Sequence, residues 1–368
     1  MKRALLLLLI VALAGPTHAQ KRPPQEKDMG AYLMVYHKDQ DHGLHMAISY
    51  DGYAWRALNA DRPVIAGDTI ARQRGIRDPH IFRGPDGLFY LAMTDLHIYA
   101  QREGYRTTEW ERDGERYGWG NNQGLVLMRS ADLIHWQRSN IQFTELSDSL
   151  REVGCVWAPE TTYDYQKHKL VIYYTMRYGT AMNKLYYSYV SDDYTRLETL
   201  PQVLFEYPKE GISAIDGDIT YADGVYHLMY CSHERTPGIK QATSASVYGP
   251  WTYDDQYYDT EDGACEAPHV FKRIGERKWV LMYDIYSVTP HNFGFAETTD
   301  WKHFTDLGHF DGGRMSRTGF AEQKHGAVCW LTKREARRLE RFWKAHKSNK
   351  SHKSHKSYKS YKSHKSHQ

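Results

Sequence analysis

Four acidic residues stand at the beginnings of short apolar segments spread along the chain: Asp78, Glu160, Asp216 and Glu266. Carboxyl groups that converge on one pocket repel one another, and this raises the pKa of some of them. Such a set suits glycoside hydrolysis, in which one carboxylic acid protonates the leaving oxygen and one carboxylate activates water or attacks the sugar. Each acid taken alone could simply cap a strand end. The four together predict hydrolysis of glycosidic bonds, provided that the fold brings them together.

A repeated strand pattern indicates how the fold does so. Five alternating strands are each followed by a polar start and, in most copies, by an aromatic residue; they are Leu44–Ile48, Leu125–Arg129, Leu185–Val190, Ile239–Thr243 and Phe293–Glu297. The four acids open a second pattern, made of a short apolar strand, a turn and an aromatic strand. Four strands per repeat and five repeats predict an all-β fold, the five-bladed β-propeller. The innermost strands of a propeller line a central channel, so residues that begin them converge.

The chain ends complete the ring in this interpretation. The tail pattern at residues 49–55 has no acidic strand before it, and the last strand candidate, Lys324–Leu331, has no tail pattern after it. Pairing the N-terminal strands with this C-terminal strand forms the fifth blade and removes the open edges of the sheet. His325 then begins the one inner strand that lacks an acid.

Several segments lie outside the repeat. Residues 96–123 are long, charged and aromatic, and they predict a loop over one face of the propeller. Residues 332–345 begin with Thr332-Lys333-Arg334-Glu335, a capping box, and predict one short C-terminal helix. The Lys/Ser/His repeats of residues 346–368 cannot form a core and predict a disordered tail.

The first residues predict export. Residues 1–19 have the basic start, apolar stretch and small-residue exit of a signal peptide. Residues 20–30 are then a linker, and residues 31–345 form the propeller domain. The expected location is the periplasm or the extracellular space of a bacterium, without membrane attachment, because the apolar stretch is too short to span a bilayer.

Composition excludes other classes of protein. Hydrophobic residues make up 41% of the 368 residues and charged residues 25%, an ordinary globular balance. The net charge of +3 depends on nine basic residues in the leader and tail, and without them the chain carries −6. That sign argues against nucleic-acid binding. The 29 Tyr and 10 Trp suit stacking on sugar faces. Four widely spaced cysteines predict free, buried thiols rather than a disulfide framework.

Four short motifs in this chain resemble those of glycoside hydrolase family 43, which comprises five-bladed β-propeller arabinofuranosidases, β-xylosidases, arabinanases and related furanosidases. They are Ile76-Arg77-Asp78-Pro79, Trp157-Ala158-Pro159-Glu160, Ala214-Ile215-Asp216-Gly217 and Cys265-Glu266-Ala267-Pro268. The resemblance covers about residues 30–345, with the motifs in the family's order and blade spacing.

The resemblance implies that Asp78 is the general base and Glu266 the general acid. Asp216 would be the third carboxylate, which raises the pKa of the acid and orients it. Gly217 stands where the family usually has Pro, and Asp218 is a second candidate for this role. The ten positions from Asp216 to Tyr226 match the spacing of the family's strand, whereas Asp218 gives eight. We therefore prefer Asp216.

Other residues are candidates for substrate contacts. Glu160, in the Trp-Ala-Pro-Glu motif, is interpreted as pocket wall or substrate contact. Trp157 and Trp119 are candidate sugar-stacking rings, with ordinary packing as the alternative. Arg77 and Arg177 could donate to sugar hydroxyls or form surface ion pairs.

The resemblance also bears on metals. A channel histidine can bind a cation in this family, often calcium, so His325 is a candidate ligand for a structural calcium ion; a hydrogen-bonded core histidine is the alternative. No cofactor is required for the chemistry.

Together these observations predict a monomeric, inverting exo-glycosidase that acts on a terminal furanoside of an oligosaccharide or a polysaccharide side chain. An α-L-arabinofuranosidase is the first choice, and β-xylosidase or β-galactofuranosidase activities are alternatives. A carbohydrate-binding propeller without catalysis is the rival from another class, although it would have no use for all three expected acids.

Overall fold

The computed structural model describes residues 22–346. The predicted signal peptide and residues 347–368 of the predicted tail lie outside the described residues. Within the described range, no helix is long and apolar enough to cross a membrane.

The chain forms five sheets, which confirms the all-β, five-bladed propeller. The N-terminal strands are β1 (Met29–His37), β2 (Leu44–Ser49) and β3 (Ala54–Ala57). The first complete blade consists of β4 (Ile76–Arg83), β5 (Phe89–Asp95), β6 (Gly124–Ser130) and β7 (Gln137–Gln142). The second consists of β8 (Val153–Asp164), β9 (Lys169–Tyr178), β10 (Lys184–Val190) and β11 (Gln202–Phe205).

The third blade consists of β12 (Ala214–Ala222), β13 (Val225–Ser232), β14 (Gly238–Ser244) and β15 (Thr252–Tyr257). The fourth consists of β16 (Glu266–Lys272), β17 (Trp279–Ile285), β18 (Asn292–Thr298) and β19 (Thr305–His309). The C-terminal strands are β20 (Ser316–Thr318) and β21 (Lys324–Thr332). The short helices are α1 (Gly114–Tyr117), α2 (Phe143–Leu146) and the 3-10 turns Glu26–Asp28, Asn59–Asp61, Gly67–Thr69 and Asp148–Leu150.

The fifth blade combines both chain ends, as the sequence predicts. Its strand order is β20-β3-β2-β1-β21. β1 pairs antiparallel with β21, with Leu33 opposite Cys329 and Met34 opposite Val328. The inner strands β4, β8, β12, β16 and β21 contact one another in a closed ring around the channel.

Hydrophobic packing holds the blades together face to face. Each of the five core clusters combines side chains from two neighbouring blades, as where Leu33 and Met46 of the fifth blade meet Phe89 and Leu91 of the first. Successive side chains along a strand therefore point to opposite faces of the blade, and both faces are buried. All four cysteines are buried and free, as predicted.

The repeated polar start has a local structural role. In the first blade the Ser130 hydroxyl accepts a hydrogen bond from the backbone N–H of Leu133 (2.8 Å), and Asp132 accepts one from that of Ile134 (2.9 Å). Equivalent bonds form at Ser49/Asp51 and Thr298/Asp300. Such side chains replace the backbone partners that a tight turn lacks, so the pattern encodes the turn into each outer strand.

The C-terminal helix α3 spans residues 333–346. The capping box is present, because Thr332 Oγ1 accepts from the backbone N–H of Glu335 (3.2 Å) and Glu335 accepts from that of Thr332 (2.8 Å). Ala336 and Leu339 are buried against the fifth and first blades, so the helix covers their junction.

Candidate active site

Each inner strand carries one residue with a positive φ near its beginning. They are Asp78 (φ 51°), Ala158 (45°), Asp216 (54°), Ala267 (54°) and His325 (45°). Beside each of them the pairing register shifts, as it does at a β-bulge. A bulge bends the strand and redirects a side chain, and strained non-glycine backbone of this kind clusters at functional sites. We call these five equivalent positions the upper layer.

Side chains from neighbouring strands fix the upper layer. Each bulge residue donates its backbone N–H to one side chain; the acceptors are His37 Nδ1 (3.2 Å), Thr94 Oγ1 (2.9 Å), Thr175 Oγ1 (3.0 Å), Asp216 Oδ2 (3.2 Å) and Asp284 Oδ2 (3.2 Å), in chain order of the donors. Polar residues at these positions therefore hold the backbone in its strained form and bring the five strand beginnings together.

Asp78 lies in the upper layer with both carboxylate oxygens engaged. The hydroxyl of Thr94 donates to Oδ2 (2.7 Å), and His325 Nδ1 lies 3.3 Å from Oδ1. Burial opposes ionisation, but His325, which is protonated in the acidic range where Asp78 titrates, and Arg77 outweigh it and hold the pKa of Asp78 below its ordinary value. Because burial lowers the pKa of His325 to about 4, its ring is neutral at pH 7, and Arg77 supplies the positive charge. Asp78 is thus a carboxylate, the form that a general base needs.

Glu266 lies one position before the bulge residue Ala267 and has the opposite electrostatic character. Burial raises its pKa; Lys324 opposes this effect and the charge of Asp78 adds to it. A carboxyl group that keeps its proton can serve as a general acid. Asp78 and Glu266 thus differ in the way that a base and an acid require.

Asp216 lies beside Glu266. Its Oδ2 accepts from the backbone N–H of Ala267 (3.2 Å), the residue that follows Glu266. Burial raises the pKa of Asp216 well above its ordinary value, and the charges of Glu266 and Asp78 add to the effect. This placement agrees with the expectation for the third carboxylate, whereas the alternative, Asp218, points into a deeper layer.

Glu160 does not join the other three acids, and the expectation of one ring of four is wrong here. The upper-layer residue of its strand is Ala158, and Glu160 lies two residues further along β8. Its side chain is buried and accepts from the Tyr173 hydroxyl (2.7 Å). Glu160 thus lies below the other three acids, and its contact with a substrate stays a prediction.

Glu160 belongs instead to a lower layer with His80, Asp218 and His269, whose potential ligand atoms all lie within 4.8 Å of one another. Burial raises the pKa of Glu160 well above its ordinary value, and Asp218 adds to the effect. Glu160 is therefore a neutral carboxylic acid. His269 Nδ1 lies 2.9 Å from Asp218, and His80 Nε2 lies 3.7 Å from Glu160.

The outer nitrogens of the two lower-layer histidines face backbone groups of the next inner strands. His80 Nδ1 accepts from the backbone N–H of Thr161 (3.1 Å). His269 Nε2 lies 2.9 Å from the backbone nitrogen of Val328 and 3.2 Å from its carbonyl oxygen. The lower layer thus joins neighbouring inner strands through bonds between side chains and backbone.

His325 is not among the converging ligand groups in the described part of the chain. Its Nδ1 lies 3.3 Å from Oδ1 of Asp78, so the ring contacts the candidate base, and calcium binding by His325 stays a prediction.

The predicted sugar-contacting residues separate into two groups. Trp119 is 60% exposed and Trp157 is half-buried, and their ring centroids lie 5.8 Å apart. The two arginines have partners within the protein, and their contact with sugar stays a prediction. Buried Arg77 pairs with Asp39, and buried Arg177 donates to the backbone carbonyl of Trp119 (2.9 Å).

Arg177 thus anchors the loop of residues 96–123, together with Trp157, whose indole N–H donates to the carbonyl of Gly120 (2.9 Å). Gly118 and Gly120 have φ of 81° and 62°, and a Cβ on Gly118 would lie 2.9 Å from the Arg177 guanidinium. This anchoring keeps the exposed ring of Trp119 in a fixed position.

Sequence reasoning missed Asp284. This residue in β17 is the register partner of Glu266 and is fully buried. Its position on the second strand of the blade corresponds to those of Thr94 and Thr175 in the first and second blades. A polar residue at this repeated position was the sequence signal that could have identified Asp284.

The far mouth of the channel holds a cavity of about 410 Å³, lined at its inner end by His80, Asp218 and His269. Asp78 and Glu266 do not line it, so the catalytic candidates and this cavity lie at opposite ends of the channel.

Comparison with known proteins identifies the family. A family described as "Probable glycosyl hydrolase domain", related to glycoside hydrolase family 43, matches residues 27–337. An α-L-arabinofuranosidase of Bifidobacterium longum subsp. longum is 21% identical over 224 residues, which are 54% of this chain but only 19% of that protein. The chain thus spans about a fifth of the length of this curated relative.

Solved structures share the fold. A thermostable family-43 glycoside hydrolase superposes with a TM-score of 0.54 at 13% identity, over 79% of this chain and 92% of that one. An endo-1,4-β-xylanase of Bacteroides thetaiotaomicron gives 0.55 at 13% identity, over 78% and 93%. With the family match over most of its length, the chain belongs to the glycoside hydrolases related to family 43.

Proposed function

We propose that this protein is an exported, inverting exo-glycosidase that releases terminal furanosyl residues, with α-L-arabinofuranosides as the first candidate substrates. One observation carries the proposal. Asp78 of the upper layer and Glu266, one position before the upper-layer residue Ala267, have pKa values shifted in opposite directions, Asp78 downward and Glu266 upward. Such a pair supplies a base and an acid at the same pH.

The reaction follows from these protonation states. The Asp78 carboxylate takes a proton from a water molecule as its oxygen attacks the anomeric carbon. The glycosidic C–O bond breaks, and Glu266 gives its proton to the leaving oxygen. Thr94 orients the Asp78 carboxylate through its 2.7 Å hydrogen bond. Direct displacement by water inverts the anomeric configuration.

Two observations support the substrate class. The matched curated relative is named an α-L-arabinofuranosidase. Trp119 and Trp157 offer aromatic surface for a sugar ring, and the anchored loop of residues 96–123 favours a pocket over an open groove. β-Xylosidase and β-galactofuranosidase activities are the alternatives within the family, and export is the part of the proposal that depends on residues 1–19.

A panel of nitrophenyl arabinofuranoside, xyloside and galactofuranoside tests the activity and the substrate together. Proton NMR of the first product should show the inverted anomer. Retention, or a trapped glycosyl-enzyme, would exclude Asp78 as a base. Binding of sugar without release of chromophore from any member would favour the non-catalytic propeller.

Variants separate the two roles. Glu266→Ala should lose most activity on natural oligosaccharides but keep far more on a dinitrophenyl glycoside, whose leaving group needs no protonation. Asp78→Asn should lose activity on both, because water activation is needed whichever group leaves. Equal losses of Glu266→Ala on both substrates would contradict its assignment as the acid.

A further inference from the structure

We infer that Tyr286 forms the leaving-group side of the active site, where its ring contacts the sugar whose oxygen Glu266 protonates. This inference rests on the proposed function, because it assigns the sides of the pocket from the roles of Asp78 and Glu266. Neither the repeated strand pattern nor the family resemblance singles out Tyr286.

The roles of the two carboxyl groups give the pocket a direction. In an inverting reaction the base activates water on one face of the sugar ring, and the acid protonates the leaving oxygen on the opposite face. Asp78 lies on β4 and Glu266 on β16; in the ring these strands are separated by β21 on one side and by β8 and β12 on the other. The leaving group must therefore lie beside Glu266, away from Asp78.

The backbone places Tyr286 at the mouth of the pocket next to Glu266. Tyr286 follows the last residue of β17 and lies two positions beyond Asp284, the register partner of Glu266. Residues two apart in extended chain project to the same face, and diagonal neighbours on paired strands lie about 7–8 Å apart, within reach of an aromatic side chain. Because β16 begins at Glu266, Tyr286 lies one step nearer the open end.

The charges that act on Tyr286 place it on the same side. Burial raises the pKa of its phenol, and the charge of Glu266 adds more to this effect than that of any other group. The next contributors belong to the third blade or to the start of the fourth; they are Cys231, Cys265 and Asp216. Asp78 is not one of these four groups. Tyr286 thus lies beside the acid and the third carboxylate rather than beside the base.

The neighbours of Tyr286 hold its backbone in place. Ile285 is fully buried, and Val288 packs against the same core cluster, between the third and fourth blades. Ser287 lies against the segment that leads into Glu266, since a Cβ on Gly263 would lie 2.5 Å from the Ser287 hydroxyl oxygen. A tyrosine ring on a fixed backbone offers contact area at a low cost in conformational entropy.

The side chain of Tyr286 is not committed to the fold. It is half-buried, and its hydroxyl forms no hydrogen bond with another described residue. Tyr283 shows the contrast, because its ring is buried and its hydroxyl bonds to Thr260 (3.2 Å) and Glu261 (3.1 Å). Tyrosine presents an apolar ring with a polar tip, which suits a sugar. The Tyr286 ring is therefore free to contact a leaving group.

A comparison of two substrates tests the assignment. Both carry the sugar that the protein releases in the nitrophenyl panel; one is an oligosaccharide, and the other is the glycosyl fluoride, whose leaving group is a single atom and cannot reach Tyr286. Tyr286→Ala should lower kcat/KM on the oligosaccharide about threefold to tenfold, with kcat/KM on the fluoride close to that of the wild-type protein. Tyr286→Phe keeps the ring, so it should retain most of the activity on the oligosaccharide.

Tyr221→Ala is the matched control. Tyr221 is also an exposed tyrosine (55%), but it lies near the end of β12, toward the far mouth of the channel. This variant should change neither kcat/KM value.

Three results would overturn the leaving-group site. They are an unchanged kcat/KM of Tyr286→Ala on the oligosaccharide, equal losses on both substrates, and a loss in Tyr286→Phe or Tyr221→Ala as large as that in Tyr286→Ala. These results leave the proposed function intact, because the wild-type protein hydrolyses both substrates in each case. A wild-type protein that hydrolyses neither the fluoride nor any member of the panel would refute the proposed function, and the leaving-group site with it.

Discussion

Glu160→Gln tests whether the lower layer contains a neutral carboxylic acid. Gln has nearly the same shape as protonated Glu, its carbonyl can accept from the Tyr173 hydroxyl, and its amide can donate to Asp218. The substitution therefore keeps the hydrogen bonds of the network. It removes only the possibility of ionisation, which in the wild-type protein occurs in the unfolded chain.

The sign of the effect follows from proton linkage. Burial raises the pKa of Glu160 well above 4.5, its ordinary value. Between 4.5 and the raised value, the folded protein holds a proton that the unfolded chain has lost, so stability falls as the pH rises. The slope is about 1.4 kcal/mol per pH unit. Glu160→Gln lacks this slope, so its free energy of unfolding should rise relative to that of the wild-type protein as the pH increases from 5 to 7.

Urea unfolding of the wild-type protein and Glu160→Gln at pH 5, 6 and 7 measures the difference between their free energies of unfolding. Taking this difference cancels the titration of every other group. Glu335→Gln is the control of opposite sign. Although burial opposes ionisation of Glu335, its pair with Arg83 lowers its pKa. This variant should be less stable by a constant amount from pH 5 to 7, with the deficit shrinking only at lower pH. A pH-independent difference for Glu160→Gln would show that Glu160 is ionised and would refute the neutral network.

Two further predictions concern the ring and the aromatic surface. Leu33 of β1 is fully buried and stands opposite Cys329 of β21, and Leu33→Ala should cost about 2–5 kcal/mol of stability. Circular dichroism and tryptophan fluorescence should still show one shared transition; separate melting of the fifth blade would contradict closure of the ring. Trp119→Ala should leave the melting temperature unchanged, because the ring is 60% exposed. It should lower kcat/KM on oligosaccharides about threefold to tenfold, and an unchanged value would exclude Trp119 as a sugar platform.

The propeller could be predicted because its signals are local. The alternating strands, the Asp-Gly turns at residues 86–87 and 223–224, and the polar turn starts each depend on a few neighbouring residues. The closure of the fifth blade followed from the mismatch of the two repeat patterns at the chain ends. Pairing of β1 with β21 confirms that interpretation.

The register of the acids could not be predicted in the same way. Each inner strand has a bulge at a residue that is not glycine, so no residue type marks where the extra position lies. The sequence aligned Glu160 with Asp78 because both are acidic, whereas the backbone aligns Ala158 with Asp78. The small side chain of Ala158 gave no chemical signal in the sequence, although Ala158 occupies the position equivalent to Asp78.

The long-range partners of the two arginines could not be predicted either. Charged side chains usually face solvent. For this reason the sequence presents Arg77 and Arg177, near the acidic motifs, as candidates for contact with a sugar. Arg77 instead pairs with Asp39, and Arg177 donates to the carbonyls of residues 117 and 119. These contacts depend on how loops fold back over the blades, which a repeat pattern does not specify.

The two layers divide stability and chemistry between them. In the lower layer the polar side chains accept backbone N–H groups from neighbouring inner strands, as His80 does from Thr161 and Asp218 from Val270. In the upper layer the anchoring acceptors include a catalytic candidate, Asp216, which accepts the backbone N–H of Ala267 beside Glu266. Substitutions in the lower layer should therefore change how the free energy of unfolding depends on pH. Those at Asp78 and Glu266 should change the rate itself, and Glu160→Gln and Glu266→Ala measured side by side test this division directly.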